Sequence, residues 1–172
     1  ILIPETEMWS GEGRPGMSLN HIMGATLSFN IIKVDRENGF ALASRKSAMK
    51  TRRSYFAHRA ELNTPGTRLK CRVIDVGPVR CTVECYGHDI RLTQKDLCYM
   101  SVSDLRNVYR PGQELDCVVT DYDADADRLR VSVKAALSDP FEGAERRHPV
   151  NSRRQAVISG KYAGGVFCNL PD

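Results

Sequence analysis

The chain has 172 residues, 41% hydrophobic and 27% charged, the composition of one or two small globular domains. No apolar run approaches the ~18 residues of a membrane-spanning helix, and no basic-then-apolar stretch of the secretory kind opens the sequence. A net charge of +4 points only weakly to an anionic partner, but the basic residues cluster, at 45–59, 68–72 and 146–154.

In chain order, "LIPETEM" (2–8) reads as the end of a strand, a break and a short helical turn. The start at Ile1 resembles mid-domain strand, so the expectation is a piece of a longer protein. In "GATLSFNIIKVDRENGFALASRK" (24–46), Leu27, Phe29 and Ile31 alternate with polar residues, the period of a half-buried strand. Asn38-Gly39 is a hairpin-turn signal, and "FALASRK" is the returning strand. His21 falls in the loop before it. The stretch 44–62 lacks Gly and Pro and suits a helix, with Ala48, Phe56 and Ala60 packing and Lys50, Arg52, Arg53 and Arg59 facing water.

Two further strands follow. "RLKCRVIDV" (68–76) alternates Leu69, Cys71 and Val73 with Arg68, Lys70 and Arg72, and Gly77-Pro78 breaks it. "VRCTVEC" (79–85) turns at Gly87 into "HDIRL" (88–92), and "RLTQKDL" (91–97) repeats the strand-end and helical turn of 2–8. Beyond Gly112 comes another strand–turn–strand unit, with "DYDADAD" (121–127) at its tip. Four alternate aspartates suggest a calcium loop, but an EF-hand needs Gly at its sixth position and Glu at its twelfth. Counting from Asp121 those places hold Ala126 and Ser132; from Asp123, Arg128 and Lys134. A solvated hairpin tip is the expectation. Residues 137–154 read as a linker with a short central helix. "RRQAVISGKYAGGVFCNL" (153–170) resembles the strands that begin at 68.

Segments 24–49 and 112–137 superpose without a gap. Gly24 matches Gly112, Leu27 matches Leu115, Asp35 matches Asp123, Ser44 matches Ser132 and Lys46 matches Lys134. Five short strands with a helical turn between the third and fourth describe a Greek-key barrel. The fold class expected is therefore all-β with short helical connectors, built as tandem OB-fold barrels. A partial first repeat covers 1–49, a basic helical connector 50–64, and a complete middle repeat 65–137. A linker covers 138–150, and a third repeat starts at 151–172.

These residues resemble the S-one RNA-binding domain family, whose closing half carries Gly, an alternating strand, Asp, a turn and Ser-x-Lys. Here that pattern is Gly112, Asp123, Ser132 and Lys134, and again Gly24, Asp35, Ser44 and Lys46. "GVFCNL" (165–170) resembles the family's second-strand motif. The resemblance implies single-stranded RNA lying across the second and third strands of a barrel, with aromatics stacking on bases and cations holding phosphates. The middle copy departs from this pattern: Val76 and Val79 stand where stacking aromatics are frequent, and Arg91 stands in the place of a frequent His. The expected contacts are Lys70, Arg72, Arg80, Tyr86, His88 and Arg91 in the middle copy. In the third copy they are Lys161, Tyr162 and Phe167.

The six cysteines form no CxxC pair, and the spacing of Cys71, Cys81, Cys85 and Cys98 matches no structural zinc pattern. Four of the six sit in alternating apolar strands as small hydrophobes. Reduced thiols and a cytoplasmic protein are the expectation. No GxSxG, HExxH or P-loop appears, and His58, His88 and His148 lie in different elements. The reading is a non-catalytic RNA-binding protein without cofactor or metal, with the ribosome as a further partner. The alternative is a protein-interaction module that docks on a ribosome or an RNA polymerase. The basic connectors favour RNA, and the missing aromatics favour the alternative.

Overall fold

The computed structural model describes residues 1–9 and 22–170; His21 lies outside them. The centre of the molecule is a five-stranded antiparallel sheet curled into a nearly closed barrel. Its strands are β3 (Arg68–Val76), β4 (Arg80–Cys85), β5 (His88–Thr93), β6 (Glu114–Asp123) and β7 (Arg128–Ser132). They lie in the order β5-β4-β3-β6-β7, and β5 approaches β7 at the seam. This is the Greek-key order expected of an OB-fold.

Period-two alternation decides the faces. Leu69, Cys71 and Val73 of β3 point inward, with Cys81, Val83 and Cys85 of β4, Leu92 of β5, Cys117 and Val119 of β6, and Leu129 and Val131 of β7. The four small thiol side chains let the strands close tightly. α3 (Gln94–Leu97) plugs one end with Leu97, and Leu105 follows in a 3-10 turn. Thr93 and Asp96 form a capping box that fixes the start of α3.

Before the barrel, β1 (Asn30–Asp35) and β2 (Phe40–Ser44) form a hairpin. The chain start joins it through two backbone bonds, Leu2 N–H to the Ala41 carbonyl and Ala43 N–H to the Leu2 carbonyl. α1 (Arg45–Ala57) follows β2 directly, and α2 (Ala60–Asn63) leads into β3. Ala48 and Phe56 are buried as expected, but Ala60 is exposed because the helix breaks at His58. After the barrel in the chain come α4 (Ala144–Arg147) and then β8 (Val157–Tyr162), which pairs with β9 (Gly165–Asn169). No described helix is long and apolar enough to cross a membrane.

The β1–β2 and β6–β7 hairpins share local geometry. Each has a register shift at the same place, Ile31/Lys33 in one and Val119/Asp121 in the other. Asp35 Oδ1 accepts from the Asn38 N–H at 3.0 Å, and Asp123 Oδ1 accepts from the Ala126 N–H at 3.0 Å. Gly39 and Asp127 both take positive φ, 70° and 45°. Ser44 caps α1 by accepting from the Ser47 N–H, and Ser132 accepts from the Ala135 N–H at the same spacing. The Asp and the Ser of the repeated pattern are thus a turn cap and a helix cap.

Candidate nucleic-acid interface

The outer face of β4 and β5 carries Thr82, Glu84, Asp89 and Arg91, which alternate with the core side chains. α1 runs against its Tyr86-Gly87 turn. The side chain of Arg45, 1% exposed, donates twice to Asp89, at 2.9 and 2.7 Å, and once to the Met8 carbonyl at 3.1 Å. Its guanidinium also stands 5.8 Å from the centre of the Trp9 ring. A bidentate Arg–carboxylate pair with a further acceptor is the arrangement that offsets the desolvation of a buried charge. Gly87 has φ +84°, and a Cβ there would lie 2.3 Å from the Met49 carbonyl, so the helix can approach only a glycine. Thr82 and Glu84 are buried as well. Part of the strand face expected to carry RNA in the middle barrel is therefore occupied by the chain's own N-terminal segment.

A second set of contacts closes over the end of α1. Phe56, fully buried, packs against Tyr86, His88 and Tyr122, with ring centres 5.4, 5.6 and 5.1 Å away. His88 Nε2 donates to Asp127 Oδ1 at 3.0 Å, and Arg53 Nε lies 3.4 Å from Asp127 Oδ2. The Tyr122 hydroxyl donates to the same carboxylate at 3.5 Å. Asp127, the last aspartate of "DYDADAD", thus joins α1, β5 and the β6–β7 turn. The turn forms as expected, but this member is a tertiary anchor as well as a turn residue.

On the other side of α1 a cleft of about 570 Å³ opens between α1, α2, β3 and β6. Arg68, Lys70 and Arg72 project into it from β3 and Arg52 from α1, with Tyr86 and Leu62 lining it. Three carboxylates also line it: Glu84, Glu114 and Asp116. Arg52 pairs with Glu84 and Arg72 with Glu114, each at 3.5 Å. Arg68 donates to the Ala136 carbonyl at 3.4 Å. Lys70 and Asp116 face each other in register across β3 and β6, yet neither forms an ion pair with a described residue. The Arg52 guanidinium lies 5.9 Å from the Tyr86 ring centre, a cation–π distance.

The nine residues expected to bind RNA divide into three places. Lys70, Arg72 and Tyr86 meet in the cleft. Arg80 and Arg91 are exposed on β4 and β5, opposite Thr93 and Thr82, while His88 is turned inward against Phe56. Lys161, Tyr162 and Phe167 are exposed on the β8–β9 hairpin, with the two rings 5.3 Å apart. Sequence reading missed two cleft cations, Arg52 and Arg68. Both belong to basic clusters visible in the sequence, but the wall that unites them exists only after α1 packs on the barrel. It also missed Arg45 and Asp89, each of which looks like an ordinary surface charge until the other is known.

A nearly closed five-stranded barrel in the order β5-β4-β3-β6-β7 has the topology of an OB-fold. The chain is similar over 91% of its length to small ribosomal subunit protein bS1 of Neisseria meningitidis, with 25% identity over 162 residues. The bS1 proteins of Pseudomonas aeruginosa and Coxiella burnetii match at 25% and 28% identity over 92% of the chain. The chain spans 28–29% of the length of these relatives. No family model matches. Among solved structures, a chain of the a/eIF2alpha-aDim2p-rRNA complex of Pyrococcus horikoshii aligns with a TM-score of 0.39. That alignment has 13% identity over 49% of this chain and 51% of that one.

Proposed function

We propose that this chain binds single-stranded RNA without catalysing a reaction, as part of a tandem array of OB-fold repeats like the bS1 proteins it is related to. The observation that carries this reading is the cleft, where Arg52 from α1 meets Arg68, Lys70 and Arg72 from β3 beside Tyr86. Cations on two walls suit a flexible phosphodiester backbone, and an aromatic between them suits a base. The exposed Tyr162–Phe167 pair with Lys161 is a second stacking platform on the β8–β9 hairpin. The ribosome is a further partner under this reading. The protein-docking alternative draws on a different observation: the β4–β5 face already holds a protein segment, through Arg45 and Asp89.

The test is fluorescence anisotropy with labelled single-stranded RNA, duplex RNA and single-stranded DNA at two salt concentrations. Single strands are expected to bind at micromolar concentration or tighter and to weaken steeply with salt. Lys70→Ala combined with Arg72→Ala should flatten the salt dependence by about 0.7 in logarithmic slope for each phosphate that the variant no longer neutralises. An absence of binding at low salt would sink the reading.

A further inference from the structure

The starting point is Asp116. An RNA groove that only holds phosphates gains nothing from carboxylates, because each repels the backbone. Two of the three in the cleft are accounted for: Glu84 holds Arg52 and also accepts from the Gly87 N–H at 3.2 Å, and Glu114 holds Arg72. Asp116 holds no side chain among the described residues. It is exposed on β6, it lines the cleft, and its cross-strand neighbour Lys70 is equally without an ion-pair partner among them. A free carboxylate and a free ammonium on facing strands can take one ligand that carries both a donor edge and an anion.

A carboxylate has two acceptor oxygens and no donor. Among the RNA bases, guanine presents two adjacent donors, N1–H and the N2 amino group, and a carboxylate can accept from both at once. Adenine and cytosine offer one amino group beside a ring nitrogen whose lone pair faces the carboxylate. Uracil offers one N–H between two carbonyls. We propose that the cleft is a guanine-reading site: Asp116 accepts from the Watson–Crick edge, Lys70 and Arg68 hold the flanking phosphates, and Tyr86 supports the base. This inference rests on the RNA-binding reading and adds a base preference to it. The donor-edge chemistry has two sources, a guanine within RNA and a free guanosine nucleotide.

The experiment uses the whole chain and labelled heptauridylate, alone or with a single central G, A or C. The G-containing strand should bind about five- to tenfold tighter than the others, the discrimination of one bidentate base contact at a partly exposed site. Asp116→Asn keeps one acceptor but places an amide donor against the second guanine donor, so the bidentate contact is lost. It should erase that preference while leaving the affinity for heptauridylate, and its salt dependence, within about twofold of the parent. Circular-dichroism melting of the variant shows that it is folded. Equal binding of all four strands by the parent would overturn the guanine site and leave RNA binding standing. So would a preference that survives Asp116→Asn, or a weakening that falls equally on every strand. If no strand binds, both readings fall. Displacement of the G-containing strand by millimolar GMP but not UMP would assign the site to the free nucleotide as well. Resistance to GMP, with the strand preference intact, would assign it to guanine in RNA.

Discussion

At the residue scale, the short polar side chains that mark the repeat are backbone caps. Asp35 shows the physics: hydrogen bonds from the Asn38 backbone N–H and then from its side chain hold the Asp35 carboxyl below the usual carboxylate range. A depressed folded pKa means that the turn is supported above the unfolded value of about 3.9 and loses that support as pH falls through the folded value. The protection factor of the Asn38 amide, its exchange corrected for the intrinsic pH dependence, should therefore hold through mild acid and fall only below the ordinary carboxylate range. A protection factor unchanged down to about pH 2 would refute this assignment. Asp127 differs from Gly39, its counterpart, in accepting a left-handed φ with a side chain. Its bonds to His88 and Tyr122 and its ion pair with Arg53 offset that strain.

At the scale of elements, α1 is the piece that organises the molecule. Its sequence is basic and only weakly amphipathic, yet it has two occupied sides: Phe56 and Arg53 meet the barrel end, and Arg52 walls the cleft. Its first residue, Arg45, reaches Asp89 on β5. Removing one member of a buried pair leaves the other charge desolvated, so Arg45→Ala should destabilise the chain by about 3 kcal/mol. Urea denaturation measures this. A change under about 0.5 kcal/mol, the range of an ordinary surface substitution, would show that the pair is not a structural joint.

At the scale of the whole molecule, the barrel core is unusually rich in thiols. Cys71, Cys81, Cys85 and Cys117 are buried, Cys98 is half-buried and Cys168 is exposed on β9. Hydrogen bonding to Cys117 and burial raise the Cys71 and Cys85 thiols, and burial pushes Cys81 up to about 12. The same hydrogen bonds from Cys71 and Cys85 lower the Cys117 thiol, so it is burial away from any reagent that keeps all four core groups inert while the barrel stands. With a chromogenic disulfide reagent at pH 8, Cys168 should react at once and Cys98 more slowly. The four core thiols should react only at the rate of unfolding. Rapid reaction of all six would mean that the barrel is open in solution.

Much of this architecture is encoded in local order. Alternation in 68–92 and 112–132 fixed which side chains enter the barrel, and the gapless match of 24–49 with 112–137 located both hairpins and aligned their Asp and Ser residues, whose capping role the structure then showed. Those features depend on residues a few positions apart, and period and turn chemistry suffice to find them. Lys70, Arg72 and Tyr86 were also legible, from the basic alternation of one strand and an aromatic beside a turn glycine. Their assembly with Arg52 was not, nor was the occupation of the β4–β5 face or the anchoring of Asp127. Each of these joins side chains between about 20 and 75 residues apart. Such pairs leave no periodic trace, because a charge that meets a distant partner looks in sequence like one that meets water. Strands, turns and barrel were thus specified locally, whereas long-range packing selected which charges became joints and which stayed unpaired among the described residues.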